Sequence, residues 1–341
     1  MPVDCVELTR RLIDIPSVTD EEAAVGEFLD AELRRAGFRV ERQEVAAGRF
    51  NLFASGGGTP RVVFNTHLDT VPPWFESSEE EQFIYGRGAC DAKGIIAAMV
   101  AAGERLLSGR VKDFALLFVV GEETDSIGAK KANEYFAGRG SAYIVVGEPT
   151  ESRFASASKG ALSCTVRFEG VAAHSAYPER GDSAITKLAA AIREIEAAPW
   201  GEDELLGKTT ANVGVVRGGE KANVIPAWAE CDMIFRTAGD PQSVLVQIER
   251  LVAQYGGRVI RSHGNMPQHM TVPEGSTPVV VAFNTDVPHL RGLGEPLLYG
   301  PGSILDAHGE SERISKRELL DAVDTYHDVA LQLLGRGARG A

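Results

Sequence analysis

The sequence predicts an α/β protein with a mostly parallel central sheet and a second, α+β domain inserted into it. Three observations carry this. Several strand-length runs are apolar on both faces and alternate with helical patterns, the mark of a buried, largely parallel sheet. After about Ala157 the strands instead alternate in polarity, in the order β-α-β-β-α-β of a ferredoxin-like unit. After about His263 the first pattern resumes. The chain has 341 residues, and about 150 per domain gives roughly two. The division read from these changes is 1–157 with 266–341 for one domain and 158–265 for the insertion.

Taken in order, residues 4–14 and 20–36 have helical spacing, and Gly37 follows the second as a C-cap. Phe38–Val45 and Phe50–Ala54 are strand candidates, and Arg61–Thr66 (RVVFNT) is a nearly continuous apolar strand. Ile95–Leu107 reads as an Ala-rich helix, and Phe114–Val120 and Tyr143–Val146 as two more apolar strands. In the insertion, Ala161–Glu169, Thr209–Val216, Ala227–Arg236 and Arg258–Arg261 read as strands, with helices at Asp182–Ala197 and Gln242–Gln254. A helix from Lys316 to Leu334 closes the chain.

Composition narrows the function. Apolar residues make up 44% and charged residues 24%, as in an ordinary globular chain. The longest apolar run, Ile95–Ala102, has eight residues, against about 20 for a membrane span. The start, MPVDCVELTRRLIDIPSV, has no basic segment followed by an apolar stretch, so no secretory signal is expected. Lys plus Arg is 35 and Asp plus Glu 48, a net charge of −13, which repels phosphate backbones and argues against a nucleic-acid partner. Cys5, Cys90, Cys164 and Cys231 form no CxxC pair. A reducing, cytoplasmic setting fits them.

The chemistry collects at strand ends. RVVFNT runs into His67-Leu68-Asp69, whose His and Asp point to one side of an extended segment. A carboxylate there can hold the imidazole in one tautomer while the other nitrogen binds metal. Asp91 lies in a Gly-rich turn, GRGACDAKG, ahead of a helix. FALLFVV ends in Gly121-Glu122-Glu123, and AYIVV in Gly147-Glu148. Open α/β sheets place their sites at such carboxyl ends. Each feature has a plainer reading: Asp91 as a helix N-cap, Glu122-Glu123 as a solvated turn. Together they place several carboxylates where burial without a counter-charge is costly. His with carboxylates suits Zn²⁺, with Mn²⁺ or Co²⁺ as substitutes.

These stretches resemble the dinuclear-zinc amidohydrolase and peptidase family of acetylornithine deacetylase, succinyl-diaminopimelate desuccinylase, aminoacylase and the glutamate carboxypeptidases, including carboxypeptidase G. The matching motifs are NTHLDTVP, GRGACDAKG, GEETDSIGA, VVGEPT, GVAAHSAYPERGDSAI, GEKANVIPAWAECDMIFR and DAHGESERI, in the family's order over residues 65 to 314. The resemblance implies a zinc-peptidase-like catalytic domain with an inserted lid and dimerisation domain. It implies two Zn²⁺ bridged by Asp91, with His67 and Glu148 completing one site and Glu123 and His308 the other. Asp69 orients His67, and Glu122 is the general base and acid. Glu148, where aminopeptidase branches tend to have Asp, leans toward deacylases and carboxypeptidases.

In the insertion the resemblance makes His174 a transition-state hydrogen-bond donor reaching the partner subunit's site, hence a homodimer. Arg236 then grips a substrate carboxylate through its planar fork. Asn223, Lys159 and Gly302 resemble further substrate-contacting positions. Taken alone, His174 reads as a loop histidine and Arg236 as a solvated strand-end charge. Cys90 is read as a structural thiol, Glu76, Glu79, Glu80 and Glu81 as a solvated rim, and His263, His269, His289 and His327 as structural or exposed. The expected activity is hydrolysis of an N-acyl amino acid of the acetylornithine, acetylcitrulline or acetyl-lysine type. The alternatives are desuccinylation, carboxypeptidase or dipeptidase action, and a catalytically silent metal- or ligand-binding protein.

Overall fold

The computed structural model describes residues 2–335. The chain divides into two units. One comprises the residues up to Ser156, Met270–Val279 and those from Thr285 on; the other comprises Ala157–His269 and Val280–Asn284.

The first unit is built on a mixed sheet. Its strands are β1 (Arg39–Ala46), β2 (Arg49–Ser55), β3 (Val62–His67), β4 (Phe114–Val119), β5 (Tyr143–Val146), β6 (Ala155–Ser158, which runs on into the second unit) and, later in the chain, Glu295–Leu298. The order is β1-β2-β4-β3-β5, then Glu295–Leu298. β3 pairs parallel with β4 and with β5, and Glu295–Leu298 parallel with β5. β1–β2 and β2–β4 are antiparallel. The parallel pairing predicted for most of the sheet is found at its centre, and the flank of β1 and β2 is antiparallel. β3 and β4 are buried along their full length, which is why they read as continuous apolar runs.

Helices α1 (Cys5–Ile13), α2 (Ala23–Arg35), α3 (Gly94–Ser108) and the terminal Lys316–Leu333 contribute to one core. Leu12, Ile13, Leu29, Ile95, Ile96, Leu319 and Tyr326 are all fully buried there. Asp4 caps α1 through the N–H groups of Val6 (3.0 Å) and Glu7 (3.1 Å). Ser315 and Glu318 have the Ser-x-x-Glu spacing of a capping box, and Ser315 Oγ accepts the Glu318 N–H at 3.4 Å. Sequence periodicity missed helix α4 (Ile127–Phe136), because its buried stripe of Gly128, Ala129, Ala132 and Phe136 is mostly small residues. Phe136 stacks on Phe53 with ring centroids 4.3 Å apart.

The second unit is a four-stranded antiparallel sheet with two helices on one face. Its strands are β7 (Gly160–Glu169), β8 (Thr210–Gly218), β9 (Trp228–Thr237) and β10 (Gly257–Asn265), in the order β8-β9-β7-β10. That order is ferredoxin-like. Leu162, Cys164, Val166 and Phe168 alternate inward from β7, and Ala229, Cys231, Met233 and Phe235 from β9. They meet Ala184, Leu188, Ala191 and Ile195 of α5 (Ala184–Ala197) and Val244, Ile248 and Val252 of α6 (Pro241–Ala253). These are the helical and strand periods of a two-layer core. β10 is longer than expected: past a register shift between Val259 and Arg261 it goes on pairing with β7 as far as Asn265. All four cysteines are buried and free.

Candidate metal centre

The site lies where β3, β4 and β5 end side by side. His67 closes β3, opposite Val119 of β4. Glu122 and Glu123 follow β4 across Gly121, whose φ of +77° turns the chain sharply. Glu148 follows β5, whose end is tied to β3 by the Gly147 N–H donating to Asn65 O at 2.7 Å and by Thr66 Oγ1 donating to Gly147 O at 2.9 Å.

Asp91 is not a helix N-cap. Helix α3 begins at Gly94, and Asp91 has extended backbone angles in the turn before it. Its buried carboxylate stands between two imidazoles. His67 Nε2 is 3.0 Å from Asp91 Oδ1, and His308 Nε2 is 3.2 Å from Asp91 Oδ2. His308 Nε2 is also 3.1 Å from Glu123 Oε2. His67, Asp91 and Glu123 each offer a donor atom within 4.8 Å of the others, and so do His67, Glu122 and Glu148. Six of the sequence-predicted positions therefore meet in one place.

Asp69 meets His67 through both its backbone and its side chain. His67 Nδ1 donates to the backbone carbonyl of Asp69 at 2.9 Å, while the carboxylate lies 3.7 Å away. That carboxylate also accepts the N–H of Glu122 at 3.1 Å, the N–H of Glu123 at 3.2 Å and the Thr19 hydroxyl at 2.8 Å. It thus ties the turn after β4 to the segment after β3.

The electrostatics describe a site short of positive charge. Burial and the Glu148 carboxylate push Glu122 well above the usual carboxylate range. Burial, with Asp91 nearby, does the same to Glu148. Burial raises Asp91 too, but hydrogen bonds to His308 and His67 outweigh it and hold it low. Hydrogen bonds to Asp91 and Glu123 push His308 up to about 10. With Nδ1 of His67 donating, its Nε2 presents a lone pair to a carboxylate 3.0 Å away. That contact is stable only with a proton or a cation between the two atoms. The donor set of two imidazoles and four carboxylates fits divalent cations.

The remaining predicted positions are placed by their own units. His174 is exposed, and its Nδ1 accepts the Ala176 N–H at 3.1 Å. The Asn223 carbonyl accepts the Ser175 N–H at 3.1 Å. Arg236 sits on β9 opposite Ala161 and Thr210. Lys159 is buried, and its Nζ donates to the Lys208 carbonyl. Gly302, with φ +85°, lies so close to Cys90 that a side chain would meet its Cβ at 2.7 Å. Glu79 is more than a solvated rim group: it pairs with Arg10 at 2.9 Å and Lys316 at 2.6 Å. Sequence reasoning gave no role to Arg87 and Glu312, although both stand inside the quoted motifs, GRGACDAKG and DAHGESERI. They form a buried ion pair at 2.7 Å.

A histidine–carboxylate donor set at the carboxyl ends of parallel strands is that of a metal-binding α/β protein. The peptidase dimerisation domain matches residues 156–259. A Schizosaccharomyces pombe peptidase M20 domain-containing protein is 35% identical over 94% of this chain and 82% of its own length. An Aspergillus flavus protein named a probable carboxypeptidase is 36% identical over 93% of this chain and 87% of its own. The chain belongs to the M20 peptidase family. Its fold is shared with the Sulfolobus solfataricus M20 metallo-carboxypeptidase (TM-score 0.77, 16% identity, 95% and 98% of the two chains). A Bacillus subtilis protein described as a dinuclear metal binding peptidase has a TM-score of 0.69 at 15% identity, over 97% and 98% of the two chains. Among the described residues, no helix is long and apolar enough to cross a membrane.

Proposed function

We propose that the protein hydrolyses an amide whose amine-side product carries a free α-carboxylate, as a carboxypeptidase-type metal hydrolase. The observation that carries this is Glu122 standing beside His67, Glu148 and the Asp91-centred ligand cluster. Burial and the Glu148 carboxylate raise its carboxyl, which favours a group that takes up a proton during the reaction. The names of the fungal relatives weigh toward peptide substrates. Deacylation of an acetylornithine-type substrate is the narrower form of the same reaction, since an N-acyl amino acid presents the same amide and carboxylate.

His67, Asp91 and Glu148 would hold one ion, and Asp91, Glu123 and His308 a second, with Zn²⁺ favoured by the donors. Bound divalent metal supplies Lewis acidity and lowers the pKa of attacking water. Glu122 accepts a proton from that water at its carboxylate and delivers it to the leaving nitrogen. Asp69 steadies Glu122 through its backbone N–H. As the family resemblance implies, Arg236 would provide a fork for the substrate carboxylate, and His174 would donate a hydrogen bond to the oxyanion developing in the site of a second copy. The second unit serves as lid and dimerisation domain. Its edge strand β8 exposes Val215 and Val216, a row of backbone groups ready to pair with a second copy.

The test is a panel on metal-stripped and Zn²⁺-, Co²⁺- or Mn²⁺-restored protein: dipeptides, tripeptides, acetylornithine, acetylcitrulline, acetyl-lysine and succinyl-diaminopimelate. Metal-dependent release of a C-terminal residue from peptides supports the carboxypeptidase reading. Release confined to one acyl amino acid moves the activity to deacylation, and no release from any substrate by metal-loaded protein overturns both the carboxypeptidase and the acetylornithine-type reading.

A further inference from the structure

Arg87 and Glu312 are fully buried and belong to neither the ligand set nor the substrate positions. They are 225 residues apart in sequence. A buried ion pair is weak evidence of stabilisation, since desolvation offsets much of its attraction. Its value here lies in what else the two side chains hold. Arg87 Nη1 donates to Glu312 Oε2 at 2.7 Å. Glu312 Oε1 accepts the N–H of Cys90 and the N–H of Asp91, each at 3.2 Å. The Glu312 backbone carbonyl accepts the Gly86 N–H at 3.0 Å. Arg87 Nε donates to Pro73 O at 3.1 Å, and Nη2 reaches His308 O at 3.5 Å. One ion pair therefore gathers the segment after His67 and Asp69, the turn bearing Asp91, and the loop bearing His308.

The two imidazoles are held differently. The His67 ring is 1% exposed, sits on a central strand and is held by the Asp69 carbonyl. The His308 side chain is 49% exposed, and its backbone has a φ of +62°. Its loop also carries Leu305, 88% exposed. His308 is held beside Asp91 by its own contacts to Asp91 and Glu123 and by the Arg87 contact to its backbone carbonyl.

We propose that Arg87 and Glu312 are positioning residues that set the separation of Asp91 and His308, and so control occupancy of the His308 side of the metal centre. This rests on the metal-centre reading above. Outer partners of metal ligands act this way generally, at about 10–100-fold in affinity.

The experiment is Zn²⁺ titration of stripped protein by calorimetry and chelator competition, on wild type, Arg87→Lys and Glu312→Gln. Wild type is expected to take two ions. Each variant is expected to keep the affinity of the first and to lose about 10–100-fold in the second. Leu29→Ala, a fully buried change away from the site, serves as a control for lost stability and is expected to leave both affinities unchanged. Two wild-type affinities unaltered in the variants, or both lowered equally, would overturn the proposal while leaving the metal centre standing. Failure of both variants to fold would assign the pair to folding and overturn it too. A wild type that binds no Zn²⁺ would remove the metal-centre reading and this inference together.

Discussion

The carboxylate of Asp69 accepts the backbone N–H of Glu122 at 3.1 Å, so the acid that ends one strand holds the acid that ends the next. A second oxygen takes the Glu123 N–H at 3.2 Å and the Thr19 hydroxyl at 2.8 Å. Asp69 is fully buried. Burial raises its pKa, but His67, Thr19 and the Glu123 N–H outweigh that and keep it low. Asp69→Ala leaves those donors without an acceptor. It is expected to cost about 1–3 kcal/mol of stability in urea unfolding, and to lower kcat more than it alters KM. A variant with wild-type kcat would separate Asp69 from the chemistry.

Glu122→Gln keeps the shape of the side chain and removes its capacity to carry a proton. Zn²⁺ content by elemental analysis is expected to stay at the wild-type value. Turnover is expected to fall by about 10²–10⁴-fold, the usual contribution of a general base. Near wild-type turnover would assign the proton transfer to another group.

Metal uptake should release protons. His308 is pushed up to about 10 by Asp91 and Glu123, and burial raises Glu148. A bound ion requires the neutral imidazole and the ionised carboxylate. Zn²⁺ affinity is therefore expected to fall as pH drops from about 9 to 7, with proton release read from calorimetry in buffers of different ionisation enthalpy. In the metal-free protein the sign for stability is opposite. The raised His308 stabilises fully below its ordinary value of 6.5, and that contribution is lost as pH rises through about 10. A pH-independent affinity would contradict this assignment of protons.

Chelation should destabilise the protein, because metal that binds only the folded state adds about 2.7 kcal/mol at 100 times its Kd. Thermal unfolding with and without a chelator checks it: Tm is expected to fall on stripping and to recover with Zn²⁺.

Val216 is 54% exposed on edge strand β8. Val216→Lys is expected to shift the protein from dimer toward monomer in sedimentation analysis, since charge on an edge blocks strand pairing. A wild type that is monomeric at all concentrations would end the dimer reading.

Much of this architecture was legible along the chain. β3 and β4 showed as apolar runs because both of their faces are buried. The inserted unit showed as alternation because only one face of its sheet packs on helices. Helix α4 was not legible, because Gly128, Ala129 and Ala132 make a weak apolar stripe. The antiparallel flanks of the first sheet were not legible either, since pairing direction depends on where the chain returns and not on residue type.

By itself the sequence determined which residues could do chemistry, since His67, Glu122, Glu123 and Glu148 announce themselves as polar groups directly after buried strands. Only the tertiary structure decided how they divide the work. It turned Asp91 from a possible helix cap into the carboxylate between two imidazoles. It set the Asp69 carboxylate against the N–H groups of Glu122 and Glu123 as well as beside His67, whose Nδ1 meets the Asp69 backbone carbonyl. It closed the Arg87–Glu312 pair across 225 residues. The physical reason is range. Periodicity and strand ends are local, whereas hydrogen-bond partners are set by which segments the packed sheet brings within about 3 Å.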